Sequence, residues 1–208
     1  MLVPSMTNLE IYAEILADSP SVFKIFTTKM HYETLRMKRT NNFKWVETLH
    51  IKSARKNDWS IVINIQNGVS EINYYIKAYN KKGLVAYSVI MIEEIPLVIQ
   101  FNTHFLTRYN ERMQLQLTKP DQILKLFFKK NVCITPACSE MEEQKETMSV
   151  ISLPEGMGLG RVMTDAPIVE MKTFIAKGML NKNQRELINM LNEDERFYHV
   201  TAMSSGKG

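Results

Sequence analysis

The run Leu84–Phe101, LVAYSVIMIEEIPLVIQF, is apolar over a length that raises the question of a membrane span, and its reading decides the fold. Glu93, Glu94 and Pro96 interrupt it in the middle, where charge is costly in lipid. Two strands joined by a turn are the simpler reading, and no membrane partner is expected. The preceding segments support it. Residues 43–54, 59–66 and 71–80 are rich in β-branched and aromatic side chains. RKND (55–58), NG (67–68) and NKKG (80–83) separate these runs and carry turn chemistry. Residues 43–94 therefore read as an antiparallel meander, with PLVIQF (96–101) adding a further strand.

Further out, NLEIYAEILADSP (8–20) has apolar residues at helical spacing and stops at Ser19-Pro20. Ser19 caps a second helix with Pro20 at its first position, and Val22, Phe23, Phe26, Met30 and Leu35 give that helix its apolar face. Beyond the run, residues 103–117 and 118–131 read as helices. VCITPA (132–137) reads as a short strand and CSEMEEQKE (138–146) as an acidic loop or the exposed start of a strand. TMSVISLP (147–154), GLGRVMTD (158–165) and IVEMKTFIA (168–176) are strand candidates, with turns at PEGMG and DAP. NKNQRELINMLNED (181–194) closes the chain as a helix with an asparagine cap, and the tail TAMSSGKG is expected to be loose. The fold class is α+β: N-terminal helices with an antiparallel β-meander, followed by a helix-plus-antiparallel-sheet unit. A soft boundary separates residues 1–94 from 95–208; one continuous domain is the alternative.

With 208 residues, 45% of them hydrophobic, the chain has enough apolar material for a proper core. Its net charge of +4 permits an anionic partner without demanding one. The two cysteines, Cys133 and Cys138, have no second half of a zinc motif and make no disulfide framework. No metal and no cofactor is expected. The N-terminus carries no signal peptide pattern, so a reduced, cytoplasmic setting is expected. The 14 methionines read as adaptable core filler.

The clearest functional clue is FNTHFLTRYNERMQL (101–115). On a helix of about 100° per residue, Phe105, Leu106, Tyr109, Met113 and Leu117 form one apolar stripe. His104, Arg108 and Glu111 fall opposite, with Arg112 at the margin. His104 lies in the first turn, capped by Asn102 or Thr103. A neutral imidazole is the form a general base needs, and a guanidinium one turn later can hold a phosphate with two hydrogen bonds. The plainer reading is a solvated face on which Glu111 pairs with Arg108.

Three stretches, HFLTRYNER, LPEGMGLGRVM and IVEMKTFIA, resemble bacterial toxin ribonucleases of the barnase, colicin and RelE-like group. The resemblance covers about residues 97–193, roughly half the chain. It implies a metal-independent endoribonuclease of a bacterial or mobile-element protein, with His104 as the base and Arg108 on the phosphate. Lys172 and Thr173 would complete the catalytic set, and Arg112 and Arg161 would bind substrate. Lys172 and Thr173 are neighbours on a strand, so only a bulge would turn both to one side. The meander has no counterpart in this resemblance. RNA is the partner implied; an inhibitor or other protein partner remains open. The competing reading is a non-catalytic binding or scaffold protein that offers the charged face of helix 103–117 to a protein.

GMGLG lacks the spacing of a dinucleotide fingerprint and the lysine of a P-loop, so a hairpin turn is favoured over a phosphate cradle. His31, His50 and His199 read as structural or surface residues. MKRTNNFKW and KSARKNDW could offer Trp45 or Trp59 to a base, but tryptophans in such stretches are more often core anchors.

Overall fold

The computed structural model describes residues 1–66, 69–92, 95–140 and 147–204; of 91, 92, 95, 138–140, 147 and 194–204 only the backbone is described. The NG turn at 67–68, the turn at Glu93 and Glu94, most of the acidic segment and the last four residues lie outside the described residues, as does the side chain of Cys138.

The chain begins with helix α1, Asn8–Thr40. Thr7 and Glu10 form a reciprocal capping box at its start, and Asn41 ends it in the left-handed conformation, φ 49°. The two helices expected from the sequence are one, because Pro20 lies inside α1 instead of opening a second helix. Proline removes the N–H that would bond the Leu16 carbonyl, and the Ser19 hydroxyl donates to that carbonyl instead, at 3.3 Å. The buried stripe Ile11, Ile15, Val22 and Phe26 also runs straight through the proline, so packing favours continuity.

The meander follows: β1 (Trp45–Lys52), β2 (Asp58–Gln66), β3 (Val69–Asn80), β4 (Gly83–Ile92) and β5 (Ile95–Asn102). The 84–101 run is thus two antiparallel strands, paired from Val85↔Asn102 to Ile92↔Ile95. No helix among the described residues is long and apolar enough to cross a membrane. Next come α2 (Thr103–Arg112), α3 (Pro120–Lys130), β6 (Thr135–Glu140), β7 (Thr147–Leu153), β8 (Gly156–Val162), β9 (Ile168–Ala176), a single 3-10 turn and α4 (Lys182–Ser204). Asn181 caps α4 through its side chain, which accepts from the Gln184 N–H at 2.9 Å.

Among the described residues, nine strands form one sheet in the order β1-β2-β3-β4-β5-β9-β8-β7-β6. Every neighbouring pair is antiparallel except β5 and β9, which run parallel from Val98↔Ile168 to Phe101↔Met171. Because β5 pairs with β4 on one edge and β9 on the other, the sheet runs straight through the 94/95 boundary. α1 packs on one face over Trp59, Ile61, Ile76 and Val98. α2 and α3 pack on the other, in an aromatic core that includes Tyr75, Phe101, Phe105, Tyr109, Phe127 and Phe174. Trp45 and Trp59 are buried, so neither can stack on a base.

The first half of α1 is pinned by polar contacts to β2 and the turn before it. Asp18 is buried and accepts from the Ser53 hydroxyl, the Asn57 amide and the Trp59 indole at 2.7, 2.7 and 2.8 Å. Such a set satisfies three buried donors with one carboxylate oxygen.

GMGLG is neither a hairpin turn nor a phosphate cradle: it lies in β8, and the turn is confined to Pro154 and Glu155. Its glycines face the α2 side, where larger neighbours occupy the space. A Cβ on Gly156 would meet the Ile175 carbonyl oxygen at 2.1 Å, and one on Gly158 the Ile151 side chain at 2.6 Å.

Candidate functional site

The site forms where the parallel pairing of β5 with β9 ends. β5 stops at Asn102 and turns at once into α2, because the Asn102 side chain accepts from the Phe105 N–H at 2.9 Å and caps the helix. β9 continues past that point. On its other edge, pairing with β8 passes from Gly160↔Met171 to Leu159↔Thr173, so Lys172 is the extra residue of a bulge. Lys172 therefore has no ladder partner in either direction, and its side chain leaves the sheet there.

A groove of about 730 Å³ opens beside it, lined by Lys172, His104 and Thr107 together with Lys81, Lys82 and the N-terminal segment. It lies outside the carboxyl end of β5, where the chain turns into α2. The floor is a polar row across four strands. Tyr87 pairs with Gln100, Gln100 with Glu170, and Glu170 with Arg161.

Glu170 is the hub of this floor. Its carboxylate accepts from Lys172, from Asn102 at 3.3 Å and from Arg161 at 3.5 Å. Burial pushes its pKa up, but the Lys172 hydrogen bond and the Lys172 and Arg161 charges outweigh that and hold it below the usual carboxylate range. Burial, reinforced by the Glu170 charge, pushes the neighbouring Tyr87 phenol up to about 12. Among the described lining residues Glu170 is the one carboxylate, against Lys81, Lys82 and Lys172. The groove is therefore suited to an anion.

The sequence-derived candidates divide. His104 is exposed, lines the groove with Lys172, and makes no side-chain hydrogen bond among the described residues. Arg108 does not line the groove; its guanidinium donates to Glu111 at 2.9 Å on the exposed side of α2. Arg112 is half-buried at the helix end, also away from the groove. Arg161 reaches the floor through Glu170. Thr173 pairs with Leu159, and Leu159 packs toward the Met157, Leu180 and Ile188 cluster beneath α4. The bulge thus turns Lys172 and Thr173 to the same side of the sheet, but only Lys172 borders the groove.

The expected helix 103–117 is shorter, ending at Arg112. Gln114 and Gln116 take positive φ values of 53° and 55°, which no helix continues through. The Asn110 side chain clamps the returning chain through both the N–H and the carbonyl of Leu117, at 3.1 and 3.0 Å. Met113 and Leu117 still pack on the same core, but from outside the helix.

Sequence reasoning missed Tyr87, Gln100, Asn102 and Glu170. Gln100 and Asn102 alternate with apolar residues in IQFN, as Glu170 and Lys172 do in VEMK, and that alternation is the signal of a polar strip on one sheet face.

A second groove of about 440 Å³ holds His50 and Ser60, whose Nδ1 and Oγ lie 3.0 Å apart. They are direct cross-strand neighbours, and no third side chain among the described residues orients the imidazole. Among the described residues no group of three or more His, Cys, Asp or Glu side chains is arranged to hold a metal ion. Comparison with family models, with curated proteins and with solved structures finds no match to this chain.

Proposed function

We propose that the groove binds the sugar-phosphate backbone of RNA and that His104 is the general base of a transesterification that needs no metal. The observation that carries this reading is that His104 and Lys172, contributed by a helix start and a strand bulge, line one groove rich in cations. His104 takes the proton of a ribose 2′-hydroxyl. The 2′-oxygen then bonds to the adjacent phosphorus and the bond to the 5′-oxygen breaks, the departing oxygen taking a proton from water. The products are a 2′,3′-cyclic phosphate and a 5′-hydroxyl. The Lys172 ammonium, held by Glu170, stabilises the charge that gathers on the phosphorane oxygens. Arg108 joins phosphate contacts only when its pair with Glu111 opens.

A second reading has one observation in its favour: Arg108 and Glu111 form an exposed pair outside the groove, a surface available to a protein partner. The test incubates RNA with the purified protein, with and without a chelator, and identifies the new ends. Cleavage that survives chelation and leaves cyclic phosphate supports the ribonuclease reading. No cleavage by the folded protein, together with salt-insensitive partner binding, supports the scaffold.

A further inference from the structure

The meander has no counterpart in the ribonuclease resemblance, yet one of its hairpins forms part of the groove wall. β3 and β4 are joined by a tight turn in which the Lys82 N–H donates to the Asn80 side chain at 2.8 Å and Gly83 adopts φ 115°. A Cβ at Gly83 would stand 2.9 Å from the Thr103 hydroxyl, which itself donates to the Leu84 carbonyl at 2.7 Å. The hairpin end is thereby fixed against the first residue of α2, one position before His104.

Three side chains at this hairpin end have no evident structural duty. Lys81 and Lys82 are exposed and form no ion pair among the described residues. Tyr79 lines the same groove and is 59% exposed. Its register partner, Leu84, is buried in the core beneath α2, so Tyr79 stands on the α2 side of the sheet, the side of His104 and Thr107, whereas the Tyr87 end of the floor faces α1. Exposed apolar area on a single tyrosine is ordinary. An exposed aromatic beside two lysines and the mouth of an anion-suited groove is the combination that single-stranded nucleic acid recognises, through base stacking and phosphate contact.

We infer that the β3–β4 hairpin is the substrate-selecting wall of the site: Tyr79 stacks on an unpaired base of a single-stranded RNA while Lys81 and Lys82 hold the flanking phosphates. The inference rests on the reading of the groove as an RNA site and adds the substrate class. A-form duplex RNA keeps its bases stacked inside the helix and presents shape and backbone instead. It offers Tyr79 no free base face, so single strands bind tighter than duplex.

The experiment measures binding of a fluorescent 2′-O-methyl oligonucleotide, which lacks the nucleophile, to the full chain by anisotropy, over a range of salt. Tyr79→Ala is expected to weaken single-strand binding by roughly 5- to 150-fold with no change in salt dependence. Tyr79→Phe retains near wild-type affinity. The Lys81→Ala, Lys82→Ala double variant is expected to lower the log–log salt slope by about 1.4, from about 0.7 per phosphate contact on a single strand. Equal affinity for single strand and duplex, no effect of Tyr79→Ala, or no binding at all overturns the inference. Tight, Tyr79-dependent binding with no cleavage of ordinary RNA leaves the inference standing and removes the catalytic reading. Cleavage indifferent to Tyr79→Ala does the reverse.

Discussion

Lys172 donates to the carboxylate of Glu170, two positions earlier on the same strand, at the point where β9 has lost its ladder to β5 and bulges away from β8. The ammonium is directed by a carboxylate that is itself fixed by Asn102 and Arg161. Glu170→Gln therefore has two opposed effects. It removes a negative charge from the groove floor, so RNA binds tighter. It also releases Lys172 from its position, and loss of positioning lowers the turnover rate by about 10- to 100-fold. Steady-state kinetics should show KM and kcat falling together. A rise in KM with kcat unchanged would contradict this role for Glu170.

Gly156→Ala tests the glycine face of β8. The added methyl meets a backbone oxygen, the Ile175 carbonyl, which cannot rotate away as a side chain would. Overpacking of this kind destabilises by about 1–3 kcal/mol, read as a lower midpoint in denaturant unfolding. Unchanged stability would mean that β8 and β9 separate more readily than their register implies.

Acid should loosen α1 through Glu14. Arg55 hydrogen-bonds this carboxylate, at 3.1 Å through its Nε; burial opposes, and Asn57 adds a further donor. The balance holds the Glu14 carboxyl at about 2, against an ordinary value of 4.5. A depressed pKa means that the unfolded chain takes up the proton first. The stability Glu14 contributes is complete above pH 4.5 and is lost as pH falls toward about 2. Glu14→Gln should lower stability at neutral pH by about 1–3 kcal/mol and flatten the acid limb of the stability curve. An acid limb identical to wild type would contradict the assignment.

The α+β class and the order of elements were legible because periodicity changes from helical to alternating near Phe43 and returns to helical after Phe101. Two boundaries were not. Pro20 reads locally as a helix start, but the buried stripe on either side of it and the Ser19 hydroxyl keep one helix intact. The stripe through Met113 and Leu117 reads as helix, but those residues reach the same core from a returning segment held by Asn110. GMGLG was misread because glycine runs resemble turns, whereas these glycines make room for Ile151 and the β9 backbone. At the groove, His104 was legible as a polar residue in a first turn. Lys172 was legible by its alternation with Glu170 in VEMK, but its place beside His104 depends on the pairing of β9 with β5, and that of Lys81, Lys82 and Tyr79 on which hairpin meets the end of β5. Both are products of long-range pairing that no local pattern encodes.

The most direct test compares RNA cleavage by wild type and His104→Ala in the presence of a chelator, with the product ends identified. His104 is exposed, so its removal opens no core cavity and should leave the unfolding midpoint unchanged. The expected result is a cleavage rate lowered by roughly 10²- to 10⁴-fold, the usual worth of a general base, with 2′,3′-cyclic phosphate ends from wild type. Full activity in His104→Ala, or no cleavage by well-folded wild type, would contradict the assignment of His104 as the base of an RNA-cleaving site.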